Sequence, residues 1–215
     1  MPAANPFRLG TRASLLARTQ SATVGNELAA LVGREWQEIL IRTPGDDTTT
    51  SLNQPGNPGL FVSTLRRALL AGEVDVIVHS FKDLPSAPEP GITLAAVPLR
   101  EDPRDVLVCR DGLTLKTLPL GANIGTSSPR RAAMLLAQRP DLQILPVRGN
   151  IDTRMRKATD GEVDAVVLAY AGIARIGRTE MISDILDPLA VVPAPAQGAL
   201  AIECRTDDDL ENFIA

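Results

Sequence analysis

Two short stretches carry residue types from which chemistry can be built. The first is Gly125-Thr126-Ser127-Ser128-Pro129-Arg130-Arg131. A small-residue turn after an apolar run, with a proline placed to open a helix, gathers backbone N–H groups, three hydroxyls and two guanidiniums. Such a helix start is a ready anion site, and arginine adds a bidentate grip on carboxylate or phosphate. The second is Val78-His79-Ser80-Phe81-Lys82-Asp83-Leu84-Pro85, directly after the apolar run at 74–78. Residues that follow a strand of an open α/β sheet project toward its ligand side. There Lys82 would hold a ligand anion, and Asp83 would stabilise developing positive charge or shuttle a proton.

Neither stretch stands alone. Thr11, Arg12 and Ser14 occupy a similar turn near the N-terminus, Arg148-Gly149-Asn150 follows an apolar run at 143–147, and Arg154 lies one helical turn later. Several arginines at strand ends and helix starts, in a chain of net charge −4, predict a ligand bearing several carboxylates or phosphates. The plainer alternatives are a serine cap with solvated arginines and a surface Lys-Asp turn before Pro85. His79 is the only histidine; crowded on one turn with Ser80 and Asp83 it makes a poor relay, and it reads as a hydrogen-bonded structural residue. No second histidine or acidic cluster supports a metal site. Neither G-x-x-x-x-G-K-[ST] nor G-x-G-x-x-G occurs, which argues against a standard nucleotide site. The acidic balance and only six aromatic residues (four Phe, one Tyr, one Trp) argue against nucleic acid. Cys109 and Cys204 lie far apart with no C-x-x-C partner and suit reduced, buried thiols.

The elements that must position these residues alternate. Apolar runs at 36–42, 74–78, 92–97, 105–109, 143–147 and 163–169 read as strands, and 14–32, 60–71, 129–138 and 151–159 as helices. In the second helix Leu60, Leu65, Leu69 and Leu70 share one side. This predicts an α/β fold with a mixed or parallel sheet. The pattern is also duplicated. Gly72-Glu73-Val74-Asp75-Val76-Ile77-Val78 recurs 89 residues later as Gly161-Glu162-Val163-Asp164-Ala165-Val166-Val167, and Leu9-Gly10-Thr11 recurs 115 residues later as Ile124-Gly125-Thr126. Pro-rich and charged stretches at 98–103 and 191–196 read as linkers, and the strand-like 199–204 is short of company, so it returns to the first half. The expected architecture is therefore two similar lobes, each a mixed sheet flanked by helices, with 1–98 plus 194–215 as one domain and 99–193 as the other. Two crossovers form a hinge, as in type II periplasmic binding proteins, and the polyanionic ligand is expected in the cleft. With 44% hydrophobic residues, no apolar run of membrane-spanning length and no leader-like N-terminus, the expectation is a cytoplasmic monomer that meets no membrane.

Taken in order, VHSFKDLP, REDPRD, GTSSPRR, RGNIDTR, LAYAGIARIG and PAPAQGALAIECR resemble the successive motifs of the hydroxymethylbilane synthase family, also called porphobilinogen deaminases. The resemblance covers essentially the whole chain. It implies a transferase that condenses four porphobilinogen units head to tail, releasing ammonia each time, in tetrapyrrole biosynthesis. Each pyrrole carries an acetate and a propionate, the polycarboxylate that the arginines call for. By the same resemblance Asp83 matches the catalytic aspartate and Lys82 its cationic neighbour. Arg12, Ser14, Thr126, Ser127, Ser128, Arg130, Arg131, Arg148, Gly149 and Arg154 match carboxylate-binding positions, and Arg175 and Gln197 are further site positions.

The departures are equally specific. The family continues into a third domain whose Gly-Gly-Cys-type loop carries a covalent dipyrromethane primer; this sequence ends at Ala215, and neither Cys109 nor Cys204 lies in such a loop. The chain is therefore expected to hold domains one and two only and to be inactive alone. Pro44 follows Thr43 where the family often has arginine, Asn57-Pro58-Gly59-Leu60-Phe61 lacks the usual lysine, and Arg66 stands where glutamate is familiar. The rival readings are a non-catalytic two-lobed protein for a polycarboxylate and, more remotely, an anion-binding regulator. A binding protein has no need of Asp83.

Overall fold

A computed structural model describes residues 5–42, 59–206 and 208. The chain divides into two compact units, Met1–Arg100 with Ala199–Ala215, and Glu101–Gly198. In the first, strands β1 (Phe7–Thr11), β2 (Trp36–Leu40), β3 (Val76–Ser80), β4 (Ile92–Ala96) and β10 (Leu200–Arg205) form a sheet ordered β2-β1-β3-β10-β4, with helices α1 (Leu15–Val32) and α2 (Gly59–Leu70). In the second, β5 (Asp105–Cys109), β6 (Asn123–Gly125), β7 (Gln143–Leu145), β8 (Ala165–Ala169) and β9 (Asp184–Ile185) are ordered β7-β6-β8-β5-β9, with α3 (Pro129–Gln138), α4 (Ile151–Thr159) and α5 (Tyr170–Arg175). In each sheet four strands run one way and one runs against both its neighbours: β10 between β3 and β4, and β5 between β8 and β9.

The two sheets share a register as well as an order. Leu9 pairs with Val76 and Gly10 with Ile77, while Ile124 pairs with Ala165 and Gly125 with Val166, so both repeats detected in the sequence fall on equivalent pairs. The repeated acidic motif has one job in both units. Gly72 (φ 70°) and Gly161 (φ 79°) take the left-handed conformation that ends a helix and that an L side chain resists. Three residues later Asp75 accepts the Arg8 backbone N–H at 2.8 Å and Asp164 that of Asn123 at 2.7 Å, tying each returning strand to the start of the first. Asp75 also takes the Arg8 and Arg205 guanidiniums.

Strand limits differ from the sequence reading where apolar residues lie outside the ladder. Val74 and Val163 are buried, yet they precede β3 and β8 because they pack beneath helices in the connections. Of the α2 face, Leu65 and Leu69 are buried, whereas Leu70 is exposed. Helix α5 and strand β9 were not foreseen, since six and two residues are too short to show a period. The cores are mostly aliphatic: Leu9, Val76 and Ile202 around the aromatic Phe7, with α1, in the first unit, and Leu107, Ile124, Leu135 and Val167 in the second.

Gly125 shows why the turn motif begins with glycine. A Cβ there would come within 2.6 Å of Val147 Cγ2 and 2.9 Å of Val166 Cγ1. Gly125→Ala is expected to destabilise the second unit by about 1–3 kcal/mol through overpacking, read as a lower denaturation midpoint.

Candidate functional site

In the first unit, Thr11 ends β1 and Ser14 caps α1, its oxygen accepting the Ala17 N–H at 3.4 Å. Arg12 lies between them, half-buried. Lys82 and Asp83 occupy a single 3-10 turn, Phe81–Asp83, immediately after β3, and both are exposed. Three bonds hold this turn: Phe81 N–H donates to Ala199 O (3.0 Å), Leu84 N–H to Phe81 O (3.1 Å), and the Gln20 amide to Ser80 Oγ (3.1 Å). Because β1 and β3 are parallel neighbours, Arg12, Ser14, Lys82 and Asp83 all follow the C-terminal ends of adjacent strands. That is where an open α/β sheet presents side chains to a ligand.

In the second unit the Thr126–Arg131 segment joins β6 to α3. Ser128 caps the helix, accepting the Arg131 N–H, and its own N–H donates to Thr126 Oγ1 (3.2 Å). Ser127 donates its hydroxyl to Val147 O (2.9 Å). In their caps Ser14 and Ser128 act as acceptors, which does not use their hydroxyl protons, whereas that of Ser127 goes to Val147 O. Arg148 and Gly149 lead into α4 beside the Asn150 cap. Gly149 has φ 110°, and a Cβ on it would press on Thr153 at 2.8 Å. Arg154 Nε donates to Gly149 O at 2.8 Å, fixing the loop from the helix side, while Arg148 is exposed.

Arg130 and Arg131 are engaged internally. Asp105, fully buried at the head of β5, receives Arg130 Nη2, Arg131 Nη2 and Gln197 Nε2, each at 2.7 Å. Arg130 also reaches Val192 O, and Arg131 reaches Val167 O. Arg175 donates to Gly198 O at 2.5 Å, and Gln197 also donates to Pro103 O at 2.7 Å. Asp105 escaped the sequence reading although it lies in REDPRD; the available signal was one acid opening an otherwise apolar strand, DVLVC. Burial pushes the Asp105 carboxyl up, but Arg131, Arg130 and Gln197 outweigh it and hold it below the ordinary carboxylate value of 3.8. Asp75 is likewise depressed, burial being outweighed by its bonds from Arg8 and Arg205. A depressed folded-state pKa gives stability that is fully present above 3.8 and is lost as pH falls through the folded value. The unfolding midpoint is therefore expected to be level near neutrality and to drop in acid, with Asp105→Asn flattening that drop in the second unit.

Cys109 and Cys204 are buried strand residues. Thr43, Pro44, Asn57 and Pro58 lie outside the described residues. Among the described residues no cluster of His, Cys, Asp or Glu is set to hold a metal, and no helix is long and apolar enough to cross a membrane.

Solved structures first define the class. The chain resembles a periplasmic substrate-binding protein of an ABC transporter from Coxiella burnetii (TM-score 0.58, 17% identity, covering 97% of this chain and 90% of that one). It also resembles the VFT2 domain of BvgS from Bordetella pertussis (TM-score 0.57, 15% identity, 97% and 84% covered). The fold is thus the two-lobed α/β fold of type II periplasmic binding proteins. Residues 7–212 match the family model described as porphobilinogen deaminase, dipyromethane cofactor binding domain. The chain is 54% identical over 203 residues to a porphobilinogen deaminase of Nocardia farcinica, covering 94% of this chain and 58% of that protein. It is 56% identical to one of Thermobifida fusca, covering 94% and 63%. The chain belongs to the porphobilinogen deaminase family, and it spans about three-fifths of the length of these relatives.

Dipyrromethane, the cofactor of this family, is a short polycarboxylate, and the donor set fits it. The residues at the strand ends are guanidiniums, an ammonium, hydroxyls and helix-start N–H groups. The Nε of Arg131 is buried with no hydrogen-bond acceptor among the described residues.

Proposed function

We propose that this chain supplies the substrate-assembling part of a hydroxymethylbilane synthase, with Asp83 as its catalytic carboxylate. The observation that carries the reading is the Lys82-Asp83 pair on an anchored turn at the end of β3, in a chain of this family. In this reading residues 1–98 with 194–215 form one domain and 99–193 a second, an assignment supported by compact units that part at Arg100/Glu101 and Gly198/Ala199. A third, cofactor-carrying domain belongs to the complete enzyme. Arg12, Ser14, Lys82, Thr126, Ser128, Arg130, Arg131, Arg148 and Arg154 would hold the acetates and propionates of the pyrroles and of dipyrromethane, Arg130 and Arg131 while shared with Asp105, with Ser127, Gly149, Arg175 and Gln197 supporting them. When bound, dipyrromethane would supply the pyrrole terminus to which the first substrate is joined.

The substrate's aminomethyl C–N bond breaks as its nitrogen takes a proton and leaves as ammonia. The electron-poor carbon left behind is attacked by the free α-carbon of another pyrrole. A C–C bond forms, and that α-carbon then loses its proton. Positive charge is shared with the pyrrole N–H groups throughout, and a carboxylate beside them is worth most where that charge is greatest. Asp83 thus acts by electrostatics first and by proton transfer second. We place the enzyme in the cytoplasm as a monomer, a reading supported by the buried thiols of Cys109 and Cys204.

Calorimetric titration with a dipyrrole bearing acetate and propionate side chains tests the binding half of this reading. The chain should bind it, and Arg148→Ala should weaken binding by about tenfold or more, as expected for a hydrogen bond between charged groups. Absence of binding would remove the assigned ligand.

A further inference from the structure

The matched units make each other's controls, and around Arg66 they differ in kind. In the first unit Arg66 (α2), His79 (β3) and Glu203 (β10) are all buried together. Arg66 Nε and Nη2 donate to Glu203 Oε2 and Oε1 at 3.0 and 2.5 Å, and His79 Nε2 lies 3.2 Å from Glu203 Oε2. The 89-residue repeat and the strand pairings map these positions onto Met155 (α4), Leu168 (β8) and Val108 (β5). Those three lie in one apolar cluster of the second unit, so the fold at this point needs no charge. Burying an ion pair costs desolvation, and well-packed apolar residues are often as stable or more so. The cluster therefore calls for a reason other than stability.

The same mapping supplies one. Lys82 and Asp83 correspond to Ala171 and Gly172, so the unit with this buried Arg66–His79–Glu203 cluster is also the unit with the reactive pair. The cluster brackets that pair along the chain. His79 lies on the strand entering the turn. Glu89, on the stretch leaving it, reaches Arg66 Nη1 at 3.6 Å. One arginine–glutamate pair thus reaches both sides of the segment carrying Asp83, by a close approach to His79 and an ion pair with Glu89 that have no counterpart in the apolar trio of the second unit.

We propose that Arg66, Glu203 and His79 form a positioning device that fixes the Lys82-Asp83 turn relative to the sheet. This rests on the function proposed above. None of the three touches the reacting atoms, so they are positioning residues. The test transplants the apolar trio of the second unit: Arg66→Met, His79→Leu and Glu203→Val together. In this chain, the expected result is an unchanged or higher unfolding midpoint together with at least tenfold faster hydrogen exchange at the Leu84 amide, which closes the turn. In an enzyme extended to family length, kcat should fall at least tenfold with KM within twofold. A stable triple variant with unchanged exchange at Leu84 and unchanged kcat would overturn the proposal. Should the triple variant not fold, Glu89→Gln removes only the outer ion pair. It should speed Leu84 exchange severalfold at an unchanged midpoint, and no change in exchange would overturn the proposal. The exchange measurement needs no turnover, so its outcome is separate from that of the functional reading.

Discussion

In an enzyme extended to family length, Asp83→Ala is expected to lower the rate of porphobilinogen condensation by about 10²–10⁴-fold, the range typical of a removed acid–base or charge-stabilising group. Binding of pyrrole carboxylates should be nearly unaffected, because those anions seek cations and hydroxyls. The structure makes this substitution clean. Asp83 is exposed, and the turn that carries it is held by the Phe81 N–H on Ala199, the Leu84 N–H on Phe81 and the Gln20 amide on Ser80, none of which uses the Asp83 side chain. The unfolding midpoint should therefore stay put while the rate collapses. Asp83→Asn, which keeps shape but not charge, should follow alanine if electrostatics dominates. An Asp83→Ala enzyme working at the parent rate would remove Asp83 from the chemistry.

The largest expected effect on stability is at Asp105. Its carboxylate accepts from two guanidiniums and an amide in a fully buried site. Removing one partner of a buried ionic network leaves uncompensated charge, so Asp105→Ala should destabilise the second unit by about 3–5 kcal/mol. The equivalent position in the first unit, by strand pairing, is Leu200. Leu200 is tolerated there because it packs in the apolar cluster of Phe7, Leu9 and Val78, whereas two arginines converge on Asp105, and Asp105→Leu is accordingly expected to fail as badly as alanine. Two-probe denaturation reads the difference, since only the transition of the second unit should move. Partial rescue by adding Arg130→Met and Arg131→Leu would confirm that unpaired guanidiniums carry the cost.

The sequence and the structure agree most closely where a rule is local. Serine before a helix start became the caps of α1 and α3, and glycine after a basic helix became the left-handed residues 72 and 161. The duplication was legible because the two copies keep identical spacing through a helix end, a turn and a strand. What remained hidden depends on partners distant in sequence. Nothing near Asp105 announces that Arg130, Arg131 and Gln197 converge on it from 25 to 92 residues away, so arginines read as ligand-binding emerged as shared with an internal carboxylate. Glu203 looks like the polar position of an edge strand, whereas pairing with both β3 and β4 places it inside the sheet. Its charge then makes sense only beside Arg66, 137 residues earlier.

The central claim, that this chain builds the condensing site of a tetrapyrrole-chain synthase, is met most directly by measuring linear tetrapyrrole formed from porphobilinogen. The assay compares this chain, a version extended by a third domain to the length of its relatives, and the extended version carrying Asp83→Ala. Product is expected from the extended protein alone, and almost none from its Asp83→Ala form. An extended protein that binds pyrrole carboxylates yet releases no ammonia and forms no product would contradict it and leave a binding protein in its place.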